Sequence, residues 1–194
     1  MNQIKCNALC NALCSALAIL FMVATTAVSA ESFSITSTAF KDGEVLAKQY
    51  AGNTKGNPNC VGENISPPFS WSHVPNGTKS FALLMVDPEG RAGLGVIHWV
   101  AYGIPASLTG FAEGEVSQAN DKLFIAGKSG PGLAHYFGPC TPPNTGYHHY
   151  TFTLIATDIE PDVLPAGLTR DELLAKLTGH AKGSAGIVAR FGRP

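Results

Sequence analysis

Three apolar runs constrain the fold of this chain more than any other feature of its sequence. They occupy residues 80–86, 96–102 and 150–156, and the first two are almost continuously apolar. Runs of this kind are typical of strands that are covered on both faces. Proline follows Asp87 and cannot donate a hydrogen bond to a strand ladder, so the first strand is expected to end there. The three runs therefore predict a sheet at the centre of the fold.

The remaining signals predict short strands, a long loop and one helix. Residues 33–36 alternate apolar and polar side chains, and residues 186–191 form a last strand-like run. Residues 129–146 are rich in glycine and proline, which indicates a loop of unusual length. Thr169 begins a capping box, and leucines at helical spacing follow it, so we expect a helix near residues 169–181. The fold class predicted from these signals is mostly β.

The first thirty residues have the pattern of a secretory signal peptide. Lys5 carries a positive charge, residues 8–28 contain no charged side chain, and residues 28–30 are small. We expect cleavage before Glu31, which leaves one domain at residues 31–194 in the periplasm or outside the cell. An uncleaved membrane anchor is the alternative, because about 20 apolar residues can span a bilayer. After cleavage, no stable membrane insertion is expected.

Cysteine usage and charge restrict the function further. Cys60 and Cys140 are the two cysteines beyond the predicted signal, and an even pair in an oxidising compartment predicts a disulfide. Removing Lys5 from the 13 basic residues leaves 12, against 14 acidic residues. Because the chain has no basic run or aromatic-interleaved basic stripe, a nucleic acid is not an expected partner.

Ionisable side chains lie at the ends of the predicted strands. Asp87 follows the first apolar run, His98 lies within the second, and His148 precedes the third. Neighbouring residues in a strand point to opposite faces, so Tyr150 shares a face with His148 while His149 points elsewhere. Folding could therefore gather two imidazoles, a carboxylate and a phenol at one rim.

Such a set could hold a small anion, hold a metal ion or move a proton. The opposite orientation of His148 and His149 excludes a zinc site built from them and His98. Asp87, His98 and His148 could still ligate a metal, although no characteristic metal-site spacing supports this. Taken singly, Asp87 is better explained as a turn cap, and His98 is better explained as a core residue than as a ligand. No nucleophile, phosphate-loop or dinucleotide motif is present, so no cofactor is expected.

Four blocks of sequence together resemble the phosphatidylethanolamine-binding protein family, in its bacterial and archaeal branch often labelled Raf-kinase-inhibitor-like. The blocks are residues 64–71, 80–89, 98–105 and 138–152, in that order. The resemblance covers nearly all of residues 31–194. It implies a large central antiparallel sheet packed on a smaller sheet, with few peripheral helices. It also implies a small cavity that binds phosphate, acetate or a phosphorylated head group.

The resemblance assigns roles to individual residues of that cavity. Asp87 matches the first aspartate of the family's DPD segment, His98 matches its strand histidine, and His148 and Tyr150 match the third block. The remaining two candidates, Gly138 and Pro139, would shape the pocket wall. This chain departs from the family pattern at the rim, where it carries Glu89, Gly90-Arg91, Gly103 and His149.

The function implied is that of a binding protein, not an enzyme. It would hold a small anion such as phosphate, or a phospholipid head group, and regulate a protein kinase or protease by contact. Protonated imidazoles attract anions, so affinity should strengthen as pH falls through the histidine range. The alternatives are a weak hydrolase or metal-assisted enzyme that uses Asp87 and His98, and an interaction protein with a vestigial cavity.

Overall fold

The computed structural model describes residues 31–193, and this part of the chain folds as two antiparallel sheets. The smaller sheet has three strands in the order β1–β2–β5. These strands are β1 (Ser34–Thr36), β2 (Phe69–Ser72) and β5 (Gly110–Phe111). The signal peptide predicted for residues 1–30 lies outside the described residues, so its cleavage stays a prediction. Within residues 31–193, no helix has the length and apolar character needed to cross a bilayer.

The larger sheet has five strands in the order β6–β4–β3–β7–β8, and every neighbouring pair is antiparallel. These strands are β3 (Ser80–Asp87), β4 (Val96–Pro105), β6 (Ile125–Ala126), β7 (Tyr147–Thr157) and β8 (Ala181–Gly192). The three apolar runs of the sequence therefore form the three central strands of this sheet. The expected fold class, with a large sheet and a smaller one, is confirmed.

The main hydrophobic core includes residues of both sheets. The larger sheet contributes alternate residues of its central strands, such as Leu83, Met85 and Phe152, while Phe69 and Trp71 come from the smaller sheet. A second cluster covers the opposite face of the larger sheet, where Ala82, Leu84, Val100 and Tyr102 pack with Leu173 and Leu177. Strand β3 is consequently buried on both faces, as its continuous apolar character predicted.

The predicted helix is present but shorter than expected. It spans Arg170–Leu177, and Thr169 and Glu172 form the capping box reciprocally. Leu173 and Leu177 are its buried residues. The helix ends four residues before the predicted limit because the chain extends at Thr178 and then enters β8 at Ala181.

Two strand boundaries differ from the sequence-based expectation. Strand β4 was expected to end at residue 102 but continues to Pro105, because an irregularity beside Gly103 lets pairing with β3 resume. Gly103 has φ +62° there, which is a left-handed backbone conformation that favours glycine. Strand β8 was expected to begin at residue 186 but starts at Ala181, because it stays paired with β7 along its whole length.

The predicted disulfide between Cys60 and Cys140 is confirmed. It joins positions 80 residues apart in sequence. Cys140 belongs to the long loop 129–146, and Cys60 belongs to a second loop that contains no helix or strand between residues 51 and 68. The bond therefore fastens two loops together beside the end of the larger sheet.

Candidate functional site

Asp87 ends strand β3 and organises the turn that follows it. The side chain is only 3% exposed, and Oδ1 accepts hydrogen bonds from the backbone N–H groups of Glu89 and Gly90, both at 2.9 Å. Its other oxygen, Oδ2, lies 2.8 Å from Nδ1 of His148. The two interpretations of Asp87 are therefore compatible, because one oxygen caps the turn and the other binds a histidine.

Strand β7 presents His148 and Tyr150 on its buried face and leaves His149 exposed, as the alternation predicted. His148 must donate its Nδ1 proton to Asp87, since a carboxylate accepts, and this leaves Nε2 available. The Tyr150 hydroxyl lies 2.8 Å from Oγ1 of Thr141. Burial raises the pKa of Tyr150, so the phenol remains protonated and can both donate and accept.

His98 reaches the same side of the sheet because β4 contains a bulge. Met85 pairs with Trp99 and Val86 pairs with Ile97, so two steps along β4 correspond to one step along β3. His98 is the extra residue between these pairs. A bulge of this kind interrupts the alternation of side chains. As a result, His98 faces the cavity next to Trp99, which faces the main core, while Ile97 packs against the second cluster.

The surroundings of His98 fix its tautomer. Nδ1 lies 2.9 Å from the carbonyl oxygen of Phe137, and a carbonyl only accepts, so Nδ1 carries the proton. The ring stacks on Phe137, with centroids 5.2 Å apart, and meets Tyr150 edge-on at 5.1 Å. Burial lowers the pKa of His98; the carbonyl of Phe137 and the charge of Asp87 oppose this without outweighing it. Neutral His98 therefore offers Nε2 as an acceptor.

The four polar candidates line one cavity of about 710 Å³. Asp87, His98, His148 and Tyr150 all contribute to its wall, and Phe137 adds an apolar surface. This volume is in the range of ligand-binding cavities and exceeds what a single phosphate would fill. The structure thus brings the residues singled out in the sequence to one shared hollow.

Gly138 and Pro139 support the cavity from behind. They lie between Phe137 and Cys140, which do line it, but they do not line it themselves. The Gly138 N–H donates to Oδ1 of Asn64 at 2.9 Å, and the Pro139 carbonyl accepts from the N–H of Gly52 at 2.8 Å. A Cβ at position 138 would lie 2.1 Å from the Tyr50 carbonyl oxygen, so only glycine fits there.

Sequence reasoning missed several residues of the cavity wall, because they lie in loops without a motif. The missed polar residues are Thr54, Asn57, Thr141 and Thr145. Thr54 and Asn57 belong to the loop that the disulfide fastens, and Thr141 follows Cys140 directly. The disulfide therefore holds both loops that complete the wall.

Two of the rim departures face each other. Glu89 accepts hydrogen bonds from Nδ1 of His149 at 2.8 Å and from the His149 backbone N–H at 3.1 Å. Partial burial acts to raise the pKa of Glu89, but these bonds outweigh it and lower the pKa overall. The pair joins the turn after β3 to the outer face of β7. His149 therefore braces the site from outside the cavity.

Arg91 lies at the rim in a strained turn. Arg91 and Ala92 have φ values of +54° and +57°, and Gly93 follows with +91°. Each non-glycine residue in this left-handed region costs about 1–2 kcal/mol. Among residues 31–193, Arg91 makes no ion pair. Arg91 therefore places a positive charge in the lining of the cavity.

The described residues contain no group of three or more histidine, cysteine or acidic side chains that could hold a metal ion. Asp87 and His148, which the sequence left open as ligands, bind each other directly. The arrangement therefore favours a guest that interacts with ring nitrogens and hydroxyl groups.

Comparison with known proteins places this geometry in context. A family model described as phosphatidylethanolamine-binding protein matches residues 36–192. A UPF0098 protein of Aquifex aeolicus is 35% identical over 164 residues, which span 82% of this chain and 88% of that protein. A putative lipoprotein LppC of Mycobacterium tuberculosis is 35% identical over 170 residues, which span 86% of this chain and 76% of that protein.

Two solved structures share the fold. The crystal structure of YbcL from E. coli, described as a new member of the mammalian PEBP family, aligns with a TM-score of 0.75 and 30% identity. It covers 84% of this chain and 100% of that one. The structure of the homologue CT736 from Chlamydia trachomatis aligns with a TM-score of 0.70 and 29% identity, and covers 84% and 99% respectively.

Proposed function

The chain belongs to the phosphatidylethanolamine-binding protein family, and from that premise we propose that it binds a small anion or a phosphorylated head group. The guest would lie against His98, His148 and Tyr150, with Asp87 orienting His148. The single observation that carries this proposal is the convergence of these four side chains on one cavity of about 710 Å³.

The hydrogen bonds of the two histidines support the binding of an anion together with a proton, which is carried either by a ring or by the guest. Each Nδ1 is engaged, with the Phe137 carbonyl for His98 and with Asp87 for His148, so each ring has Nε2 left for a ligand. Nε2 donates only when it carries a proton. A guest oxygen is therefore held either by a protonated ring, or by a neutral ring when the guest is itself protonated.

The sign of the pH dependence follows from His98. Its pKa is lowered below 6.5 by burial, so the charged ring becomes populated only below that value. An anion favours the charged ring, and its binding should take up a proton. Affinity should then rise as pH falls, by up to about tenfold per pH unit for one proton.

Calorimetry at about pH 8 and about pH 5.5 tests this proposal across the histidine range. Sulfate is a suitable first probe because its charge does not change over this interval, and phosphate and phosphoethanolamine follow. We expect tighter binding at the lower pH. Equal sulfate affinity at both values would contradict the proposal.

A matched pair of histidine variants identifies the site. His148 and His180 both bind a carboxylate through Nδ1, at 2.8 Å to Asp87 and 2.7 Å to Asp158 respectively. His180 is exposed and does not line this cavity. We expect His148→Gln to abolish anion binding and His180→Gln to leave it intact. Loss in both variants would show that the effect is not local.

A hydrolytic role is the second candidate, and one observation favours it. Asp87 orients His148, and Nε2 of His148 lies 3.4 Å from Oγ1 of Thr145, which resembles an acid–base–hydroxyl relay. The Thr145 hydroxyl, however, donates to the Pro142 carbonyl at 2.9 Å. A screen of ester and phosphoester substrates tests this role. Turnover that His148→Gln and His98→Ala both eliminate would support an enzyme.

We also propose export and a protein partner. Cleavage before Glu31 would release the domain into the periplasm or the medium, and the intact N-terminus of the exported protein can be determined by mass spectrometry. The disulfide supports an oxidising compartment. Regulation of a protein kinase or protease by contact can be measured as inhibition of the partner by the purified protein.

A further inference from the structure

Part of the cavity wall belongs to a loop that is almost entirely exposed. We call residues 53–60 the cap loop; Thr54 and Asn57 line the cavity, and residues 53–58 are exposed without interruption. Most of its hydrogen bonds are internal. The N–H of Asn57 donates to the Thr54 carbonyl, and the N–H of Cys60 donates to the Asn57 carbonyl, both at 3.1 Å. The position of the cap loop against the cavity therefore depends on few attachments.

The two ends of the cap loop are fixed independently of the disulfide. The N–H of Gly62 donates to the Gly52 carbonyl at 2.9 Å, and the N–H of Gly52 donates to the Pro139 carbonyl at 2.8 Å. Val61 packs against the main hydrophobic core. None of these contacts involves a cysteine side chain, so we expect them to persist when the disulfide is broken.

Within residues 31–193, two bonds tie the cap loop to the domain beyond its ends. One is the disulfide from Cys60 to Cys140, and the other is a hydrogen bond of 3.0 Å from the Arg193 guanidinium to the Pro58 carbonyl. Both cysteines are partly exposed, so a small dithiol can reach the sulfur atoms. Without the disulfide, one hydrogen bond would have to offset the conformational entropy of the whole cap loop, and the entropy is the larger of the two.

We propose that the disulfide is a redox switch, and that its reduction by a dithiol releases the cap loop and weakens binding in the cavity. This inference rests on the proposed function, because it concerns the retention of the anion beside His98 and His148. It adds a condition to that function: the protein holds its guest in oxidising surroundings and releases it when a dithiol reductant is present. The S–S bond accepts two electrons and two protons and becomes two thiols, while the dithiol is oxidised to a disulfide.

The size of the effect follows from what the cap loop contributes to the wall. After its release, the Thr54 hydroxyl and the Asn57 amide are no longer held beside the guest. A hydrogen bond to a charged group accounts for about tenfold or more in affinity. We therefore expect reduction to weaken sulfate binding by at least about tenfold.

Calorimetry with sulfate measures this effect. The protein is reduced with dithiothreitol at about pH 8 and then transferred to about pH 5.5, where thiols are protonated and exchange slowly. Dithiothreitol carries no charge at that pH, so it does not compete with an anion. We expect the oxidised wild type to bind sulfate more tightly than the reduced protein. The double variant Cys60→Ser with Cys140→Ser should bind as weakly as the reduced protein, whether or not dithiothreitol is added.

Limited trypsin digestion shows whether the release is local. Lys55 is exposed in the cap loop, and Lys122 is exposed in a turn that does not line the cavity. The oxidised wild type and the double serine variant are compared without reductant, and the cleavage sites are mapped by mass spectrometry. We expect faster cleavage after Lys55 in the variant and equal cleavage after Lys122. Faster cleavage at both sites would show that the whole domain opens, and would overturn a local release.

The outcomes separate the two proposals. Equal sulfate affinity in the oxidised and reduced protein would overturn this inference and leave the proposed function intact. If dithiothreitol weakens binding by the double serine variant as well, the effect belongs to the reagent and the redox switch is refuted. If the oxidised protein does not bind sulfate, both proposals fail together.

Discussion

Replacing Asp87 by alanine tests whether one buried carboxylate holds the site together. In the folded protein this side chain accepts three hydrogen bonds, two from the turn amides of Glu89 and Gly90 and one from His148. Alanine accepts none of them. The Gly90 amide is buried and would lose its partner, whereas the Glu89 amide is only partly buried and can find water.

The expected loss of stability can be assembled from these bonds. A buried amide left unsatisfied costs about 1–3 kcal/mol, and a charge-assisted hydrogen bond contributes about 1.5–3 kcal/mol. Water in the cavity can hydrogen-bond to the His148 ring, which recovers part of this loss. We therefore expect Asp87→Ala to lower the free energy of unfolding by about 3 kcal/mol, which corresponds to about 6–12 °C in a domain of this size.

Asparagine at the same position separates the two functions of the carboxylate. Its amide oxygen can still accept both turn bonds, while its NH₂ group faces Nδ1 of His148. His148 must then shift its proton to Nε2, and we expect a cost of about 1 kcal/mol. Urea denaturation gives the stabilities, and nitrogen-15 NMR gives the His148 tautomer. A loss below about 1 kcal/mol for Asp87→Ala, or an equal loss in both variants, would refute this reasoning.

Three further predictions concern stability. Replacing Cys60 and Cys140 by serine should lower the free energy of unfolding by about 2–4.5 kcal/mol, measured by urea denaturation. The buried His98 has a folded-state pKa below its unfolded value of 6.5, so its contribution is complete above that pH and is lost as pH falls below it. The wild type should lose up to about 1.4 kcal/mol per pH unit there, and His98→Gln should show a flatter profile. Gly103→Ala would place a Cβ 2.1 Å from the Pro161 carbonyl oxygen and should lower the free energy of unfolding by more than about 2 kcal/mol, measured by a thermal melt. The control is Gly56→Ala, which has a positive φ as well but open space around it, and it should lower the free energy of unfolding by about 1 kcal/mol.

The central strands could be predicted from the sequence because burial on both faces has a local signature. Strand β3 is apolar almost throughout and is covered on both sides, so its composition alone indicated its position. Strands β5 and β6 have two residues each and were not predicted. Pairs this short carry no periodicity, and they are extended only because a neighbouring strand binds them.

The sheet arrangement could not be obtained from periodicity. Composition indicated a mostly β chain, and the division into a large antiparallel sheet and a smaller one came with the resemblance to a family. The order β6–β4–β3–β7–β8 was not predicted. The predicted ends of strands β4 and β8 were also wrong, because pairing with a neighbouring strand extends each of them beyond its apolar run. The last strand was predicted to begin at residue 186, yet β8 begins at Ala181 because β7 pairs with it along its whole length.

Within the site, His148 and Tyr150 were predictable because a period of two is a local property. The pairing of Glu89 with His149 was not, since each departure from the family pattern looked like an isolated change in its own block. Together they form a contact between an acidic side chain and a histidine across the rim. The two departures from the family pattern therefore bind each other and hold the rim together.

The placement of His98 depends on a feature that the sequence around it does not signal. In a regular strand, His98 would share a face with Val100. That residue packs in the second hydrophobic cluster, on the opposite face of the larger sheet from the cavity. The bulge opposite Met85 and Val86 turns the imidazole to the cavity instead, next to Trp99. A bulge arises from the pairing of two strands, so its position depends on residues far apart in sequence. Without it, Asp87 and His148 would still meet, but the cavity would have one imidazole, and the proposed anion would have one ring nitrogen to bind instead of two.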